Sequence, residues 1–246
     1  MAARLFRLFL WGWCAIAIAA LGIAVLLVFE PFQPLPAESE ARYRMLQRVP
    51  YASRFDYPVG WPDAKGYYDA RSFGKKGHMG SDWNGVHGGN TDLGDPVYVA
   101  ADGLVIFSGY AGPGWGDCMI VAHRLPGRFR DRQIETFYGH VQDRFARVGE
   151  TVTRGQKIGT IGTAYGRYVA HLHFEIRRRP WMGICRGYNE NQEWWHDPTK
   201  FIVESRKQVK DRIQESVVRS QKTDAGIQKD DLLTVDQKTD VRFSKP

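Results

Sequence analysis

The hydrophobic pattern changes character four times along the chain. An uncharged run of 22 residues, Leu8 to Phe29, follows Arg4 and Arg7 and stops at Glu30. Coiled as helix it reaches roughly 33 Å, enough to cross the hydrocarbon core of a bilayer. The arginines before it place residues 1–7 in the cytoplasm and everything downstream outside. The run therefore predicts a single-pass anchor over 8–29 in a bacterial inner membrane. Secretion after signal cleavage is the alternative, but the apolar region of a signal peptide usually spans only about 7–15 residues.

Residues 30–50, "EPFQPLPAESEARYRMLQRVP", bear prolines and charges and predict a stalk with a turn or two of helix. From 51 to 203 the pattern is one of short β-branched and aromatic runs cut by glycine turns. "PVYVAADGLVIFSGY" reads as two strands around a tight turn, and "CMIVAH", "IETFYGH" and "HLHFEIR" continue the alternation. No strong amphipathic helix interrupts them, which predicts a mostly β, antiparallel domain. Over 204–246, Val209, Ile213 and Val217 recur every fourth residue and predict a surface helix. A polar, disordered tail is expected from about Ser220.

Composition adds little to this division. Apolar residues make up 43% and charged residues 25%, ordinary for a globular chain. The net charge of +7 favours anionic partners such as lipid headgroups or cell-wall polymers. The basic residues are scattered and form no nucleic-acid motif, so nucleic acid is not an expected partner. Of the three cysteines, Cys14 lies in the apolar run; Cys118 and Cys185 fall in the exported part, where a disulfide and two free thiols both remain open.

The candidate chemistry sits in one strand. In "AHLHFEIRRR", alternate residues share a face, so His171, His173 and Glu175 point one way and Leu172, Phe174 and Ile176 the other. Polar groups lined up against an interior are costly unless they bind or react. Upstream, "GKKGHMGSDWNG" sets His78 and Asp82 four apart around Gly80, a spacing that places both on one face of extended chain. These two and one histidine of the later pair make a two-histidine, one-carboxylate set, common for catalytic zinc with a position left for water. Spacing leaves open which of His171 and His173 is the ligand.

"HMGSD", "FYGH" and "HLHFE", in that order, with "GDPVYVAADGLVIFSG" and "VGETVTRGQKIGTIG" between them, resemble the M23 peptidases. This is the lysostaphin-like and LytM-like family of zinc endopeptidases that cut peptidoglycan peptides. The resemblance spans about residues 55–201. It implies a β domain of the M23/LytM type, a barrel-like hybrid built from duplicated hairpins. It implies one Zn2+ held by His78, Asp82 and His173, with His140 and His171 as unligated catalytic histidines. His87 in the following glycine-rich loop, Tyr138 in "FYGH" and Trp194 in "EWWH" are candidate substrate contacts. The partners expected are peptidoglycan stem peptides and the inner membrane. A non-catalytic, peptidoglycan-binding regulator of other wall hydrolases and a wall-opening accessory of a secretion or conjugation machine are the rival functions.

Overall fold

The computed structural model describes residues 37–126 and 132–236. The expected membrane anchor over 8–29 and the first part of the stalk lie outside the described residues. Among those described, no helix is long and apolar enough to cross a membrane. The chain divides into two compact units, Met1–Arg44 and Met45–Pro246. In the first, helix α1 (Ala37–Gln47) begins, with Arg44 paired to Glu40 one turn back at 3.3 Å.

Among the described residues the second unit carries ten strands, every pair antiparallel: β1 (Tyr67–Arg71), β2 (Ser81–Gly85), β3 (Pro96–Tyr98), β4 (Gly103–Tyr110), β5 (Asp117–Leu125), β6 (Arg132–Arg144), β7 (Thr151–Val152), β8 (Lys157–Ile161), β9 (Leu172–Arg177) and β10 (Trp195–His196). The main path runs β1-β2-β9-β6-β5-β4-β7, with β10 beside β9 and β3 beside β8. The expected antiparallel β architecture is present, but the barrel-like closure is not. The sheet ends at β1 on one side and β7 on the other.

The physical reason lies in β6, the longest strand. Its first half, up to Gly139, pairs with β9, while Val141 and Arg144 pair with β8 instead. His140 stands at this change of partner with φ +60, a left-handed conformation that a non-glycine residue adopts at a cost. The strand bends there and the sheet branches rather than curling shut.

Both faces of the sheet are covered. Leu172, Phe174 and Ile176 of β9 join Ile134, Tyr138 and Val121 in one core cluster. Leu104, Ile120 and Phe137 form a second cluster. All six residues of β9 are buried, so its polar face is enclosed as fully as its apolar one. A helix, α2 (Pro198–Asp236), follows β10; Ile202 in its first turns reaches the core, while Ile213 and Val217 are exposed. The surface helix is thus present, and it continues to Asp236, past the expected start of a disordered tail.

Candidate metal centre and its cleft

The site grows out of strand register. Asp82 of β2 stands directly opposite His173 of β9, so the two side chains leave the sheet together on one face. Gly80 permits this close approach. A Cβ there would lie 2.4 Å from the Phe174 carbonyl oxygen and 3.0 Å from His173 Nε2. The glycine serves the packing of the chain on β9. His78 precedes β2, after a tight turn over Lys75–Gly77, and is fixed by an isolated bridge to Tyr188.

The result is a convergence of three ligand atoms. His78 Nε2 lies 3.1 Å from His173 Nδ1 and 3.2 Å from Asp82 Oδ1, and His173 Nδ1 lies 2.8 Å from the same oxygen. His78, Asp82 and His173 are all buried, with one ligand atom from each lying within 4.8 Å of the others. Two imidazole nitrogens at that separation repel through their lone pairs unless a proton or a cation stands between them. The donor set, two neutral imidazoles and one carboxylate, therefore fits a divalent metal of the zinc type.

The protonation states describe the same competition. Burial pulls the His173 imidazolium down, but its bonds to Asp82 and Glu175 outweigh this and raise its pKa to about 9. Burial likewise works against the Asp82 carboxylate, and the hydrogen bonds from His173 and His78 hold it well below the usual range. A metal at this point would replace the proton on His173 Nδ1.

Behind His173 runs a buried chain of charges. His173 Nε2 donates to Glu175 at 2.9 Å, and Glu175 accepts from Arg177 Nε at 2.6 Å and from the Trp195 indole at 2.8 Å. Arg177 also pairs with Glu135 at 3.0 Å, and Glu175, Arg177 and Glu135 are all fully enclosed. Burial opposes ionisation of Glu175, yet Arg177 and His173 hold its pKa down to about 2. The anionic carboxylate fixes the His173 ring so that Nδ1, not Nε2, faces Asp82.

Two further histidines stand beside the ligands. His140 Nδ1 lies 3.0 Å from the Trp115 carbonyl oxygen, and His171 Nδ1 lies 2.8 Å from the Val169 carbonyl oxygen. A carbonyl only accepts, so each Nδ1 carries the proton and each neutral ring has a lone pair on Nε2. His171 Nε2 lies 3.7 Å from Asp82 Oδ1, and the His140 and His171 ring centroids are 4.7 Å apart. Burial, with the neighbouring imidazoles, lowers the His140 pKa to about 3; burial also lowers that of His171. All five histidine and aspartate candidates line one cleft of about 480 Å³, with Arg71, Asn84, Trp115, Tyr168, Arg186 and Tyr188.

The three expected substrate contacts are elsewhere. Tyr138 is wholly buried, its hydroxyl accepting the Ala100 N–H at 2.9 Å and packed with Phe174 in the core. It shares odd–even parity with His140, but the left-handed turn at His140 breaks the alternation, so the two face different ways. Trp194 is exposed, with the Arg179 guanidinium over its ring at 4.5 Å, and Trp195 is the tryptophan that packs inside. His87 is exposed in its loop and does not line the cleft. Arg177 is the centre of the buried charge chain. Cys118 and Cys185 are free thiols.

Sequence reasoning set Glu175 on the histidine face without a role and missed Trp115 and Tyr188. The period of two, carried one step further, would have found Arg177 on the face of His171, His173 and Glu175.

Comparison with known proteins agrees with this geometry. The family model described as Peptidase family M23 matches residues 77–188. The chain is 36% identical over 87 residues to the lipoprotein NlpD/LppB homolog of Pseudomonas aeruginosa, covering 35% of this chain and 27% of that protein. It is 36% identical over 84 residues to lipoprotein NlpD of Yersinia enterocolitica, covering 34% of this chain and 78% of that one. Against the DD-carboxypeptidase/endopeptidase Mpg of Neisseria meningitidis serogroup B it is 32% identical over 84 residues, 34% of this chain and 17% of the relative. The matched segment thus spans only a minor part of the first and third of these proteins. With its His78–Asp82–His173 cluster arranged as a metal site, the chain belongs to peptidase family M23.

Proposed function

We propose that the protein is a zinc-dependent endopeptidase that hydrolyses peptide cross-links or stem peptides of peptidoglycan. The observation that carries this reading is the convergence of His78 Nε2, Asp82 Oδ1 and His173 Nδ1 beside two unligated histidines in one cleft. Zinc, when bound, supplies Lewis-acid polarisation and a water of lowered pKa. The rest is done by the chain. His171 presents an unprotonated Nε2 beside Asp82 and accepts the proton of the attacking water.

His140, the second unligated histidine, stands beside His171 in the cleft. With Nδ1 tied to Trp115, its neutral ring presents only an acceptor to the cleft, so it donates from Nε2 only after taking up a proton. The 4.7 Å between the two rings suits them to share that proton with the leaving amine. Glu175 and Arg177 hold His173 in its tautomer throughout.

The regulatory alternative is disfavoured because all five residues are present and brought together. The similarity to DD-carboxypeptidase/endopeptidase Mpg supports a peptide substrate of this kind. The N-terminal run would anchor the domain outside the inner membrane, on a stalk whose helical part, Ala37–Gln47, spans about 16 Å. The roles separate in two variants. His173→Ala loses both zinc and turnover, whereas His171→Ala loses turnover and retains zinc. Metal analysis showing an empty site in His171→Ala would overturn the assignment of the two histidines.

A further inference from the structure

The cleft is lopsided in charge. Asp82, already committed to imidazoles, is the only acid among its described lining residues, while Arg71 and Arg186 both line it. Neither arginine has a carboxylate partner among the described residues.

Both are held on fixed backbone. Arg71 ends β1 as the register partner of Asp82, and its guanidinium donates to the Tyr188 hydroxyl. The Tyr188 ring in turn lies 5.3 Å from that of His78. Arg186 is clamped on either side. The Cys185 carbonyl accepts the Trp115 indole N–H at 3.0 Å, and the Gly187 carbonyl accepts the Met79 N–H at 3.0 Å. Gly187 is required by the same packing, since a Cβ there would come within 2.9 Å of the Trp115 ring.

Further back, the segment is pinned by the buried charge chain. Glu135 accepts the Trp181 N–H at 2.8 Å and Arg177 donates to the Gly183 carbonyl at 2.7 Å. Both arginines are exposed, and they grow from backbone held by these bonds. A guanidinium presents a planar fork of N–H donors that matches a carboxylate and no neutral group as well.

We propose that Arg71 and Arg186 form a carboxylate-recognition subsite, selecting peptides that bear a free carboxylate beside the bond offered to His171. This rests on the reading of the cleft as a peptide-hydrolysing site and names the substrate class within it. The test measures binding to the metal-free protein, so that turnover is not needed. Cross-linked muropeptide dimers are titrated with their carboxylates free and after chemical amidation, by calorimetry. The free-acid form binds about tenfold or more tightly than the amidated form. Arg71→Ala and Arg186→Ala each erode that preference, and the double variant abolishes it.

Arg212→Ala, which removes a charge from a separate groove, leaves the preference intact. Equal binding of the two forms by the wild type overturns the subsite, as does failure to bind either. So does a preference that survives in the double variant or disappears in Arg212→Ala. If the preference behaves as expected but the zinc-loaded protein cleaves nothing, the hydrolase reading fails and the subsite stands.

Discussion

Two buried carboxylates, Asp56 and Asp82, divide the molecule's polar interior into two kinds. Asp56 is fully enclosed and ringed by guanidinia: Arg54 at 2.9 Å, Arg206 at 2.7 Å, and Arg154. The three arginines come from distant points of the chain, Arg206 from helix α2, so the cluster ties that helix to the domain. Its charge is answered by permanent cations. Asp82 is enclosed nearly as well, yet its partners are imidazoles, which carry charge only when protonated. A carboxylate surrounded by permanent cations is a clamp. One surrounded by groups that can shed their protons keeps its affinity for a cation from outside.

That contrast can be broken most sharply at Asp82 itself. Asp82→Asn keeps the size and removes the charge, and metal content falls from about one per chain to near zero while circular dichroism stays native. Asp56→Ala has the opposite profile. It removes the acid that three guanidinia share, Arg206 alone keeping a second partner in Asp63, which costs about 3 kcal/mol, the low end for a broken buried pair because those guanidinia are partly exposed. Chemical denaturation reads that loss, and zinc stoichiometry stays unchanged.

His123 belongs with Asp56. Its Nδ1 donates to the Asp102 carbonyl oxygen at 2.9 Å and its Nε2 accepts from the Thr136 hydroxyl at 2.8 Å, leaving nothing open. Burial lowers its pKa from 6.5 to about 4, so the unfolded chain binds its proton first as pH falls. Its contribution is complete above pH 6.5 and is lost as pH drops toward 4, by at most about 3 kcal/mol. Denaturation midpoints across that window fall in the wild type and fall less in His123→Gln.

Glu175→Gln is a smaller change on the metal side. It keeps the hydrogen-bonding shape but not the charge behind His173, and metal affinity measured by chelator competition drops by about 10–100-fold. The smallest effect is expected at Trp194. Because it stands outside the cleft, Trp194→Ala changes muropeptide cleavage less than about twofold; a large loss would mean that the productive cleft extends over the Trp194 surface.

What the sequence revealed and hid follows from the range of its signals. The strand period put His171 and His173 on one face, and the recurring motifs singled out His78, Asp82 and His140, all five of which the fold brings to one cleft. Those signals are local, and each spans a few residues. The branching of the sheet depends on β6 exchanging β9 for β8 at His140, and no hydrophobic pattern records that exchange. Tyr138, a candidate only through its place in "FYGH", lies in the core because the left-handed residue at His140 breaks the strand's alternation after it. Trp115 and Tyr188 reach the cleft from glycine-punctuated loops, where period carries no information and only tertiary packing fixes position.

The central claim is that the cleft around Asp82 is a zinc peptidase centre. The most direct measurement incubates the purified protein, loaded with zinc, with cross-linked muropeptide dimers and identifies the products by mass spectrometry. Chelator-treated protein and Asp82→Asn serve as the two controls. The account predicts conversion of dimers to monomers by the zinc-loaded wild type and by neither control. Intact dimers in every arm, with zinc bound and the domain folded, would contradict it, as would cleavage that persists without the metal.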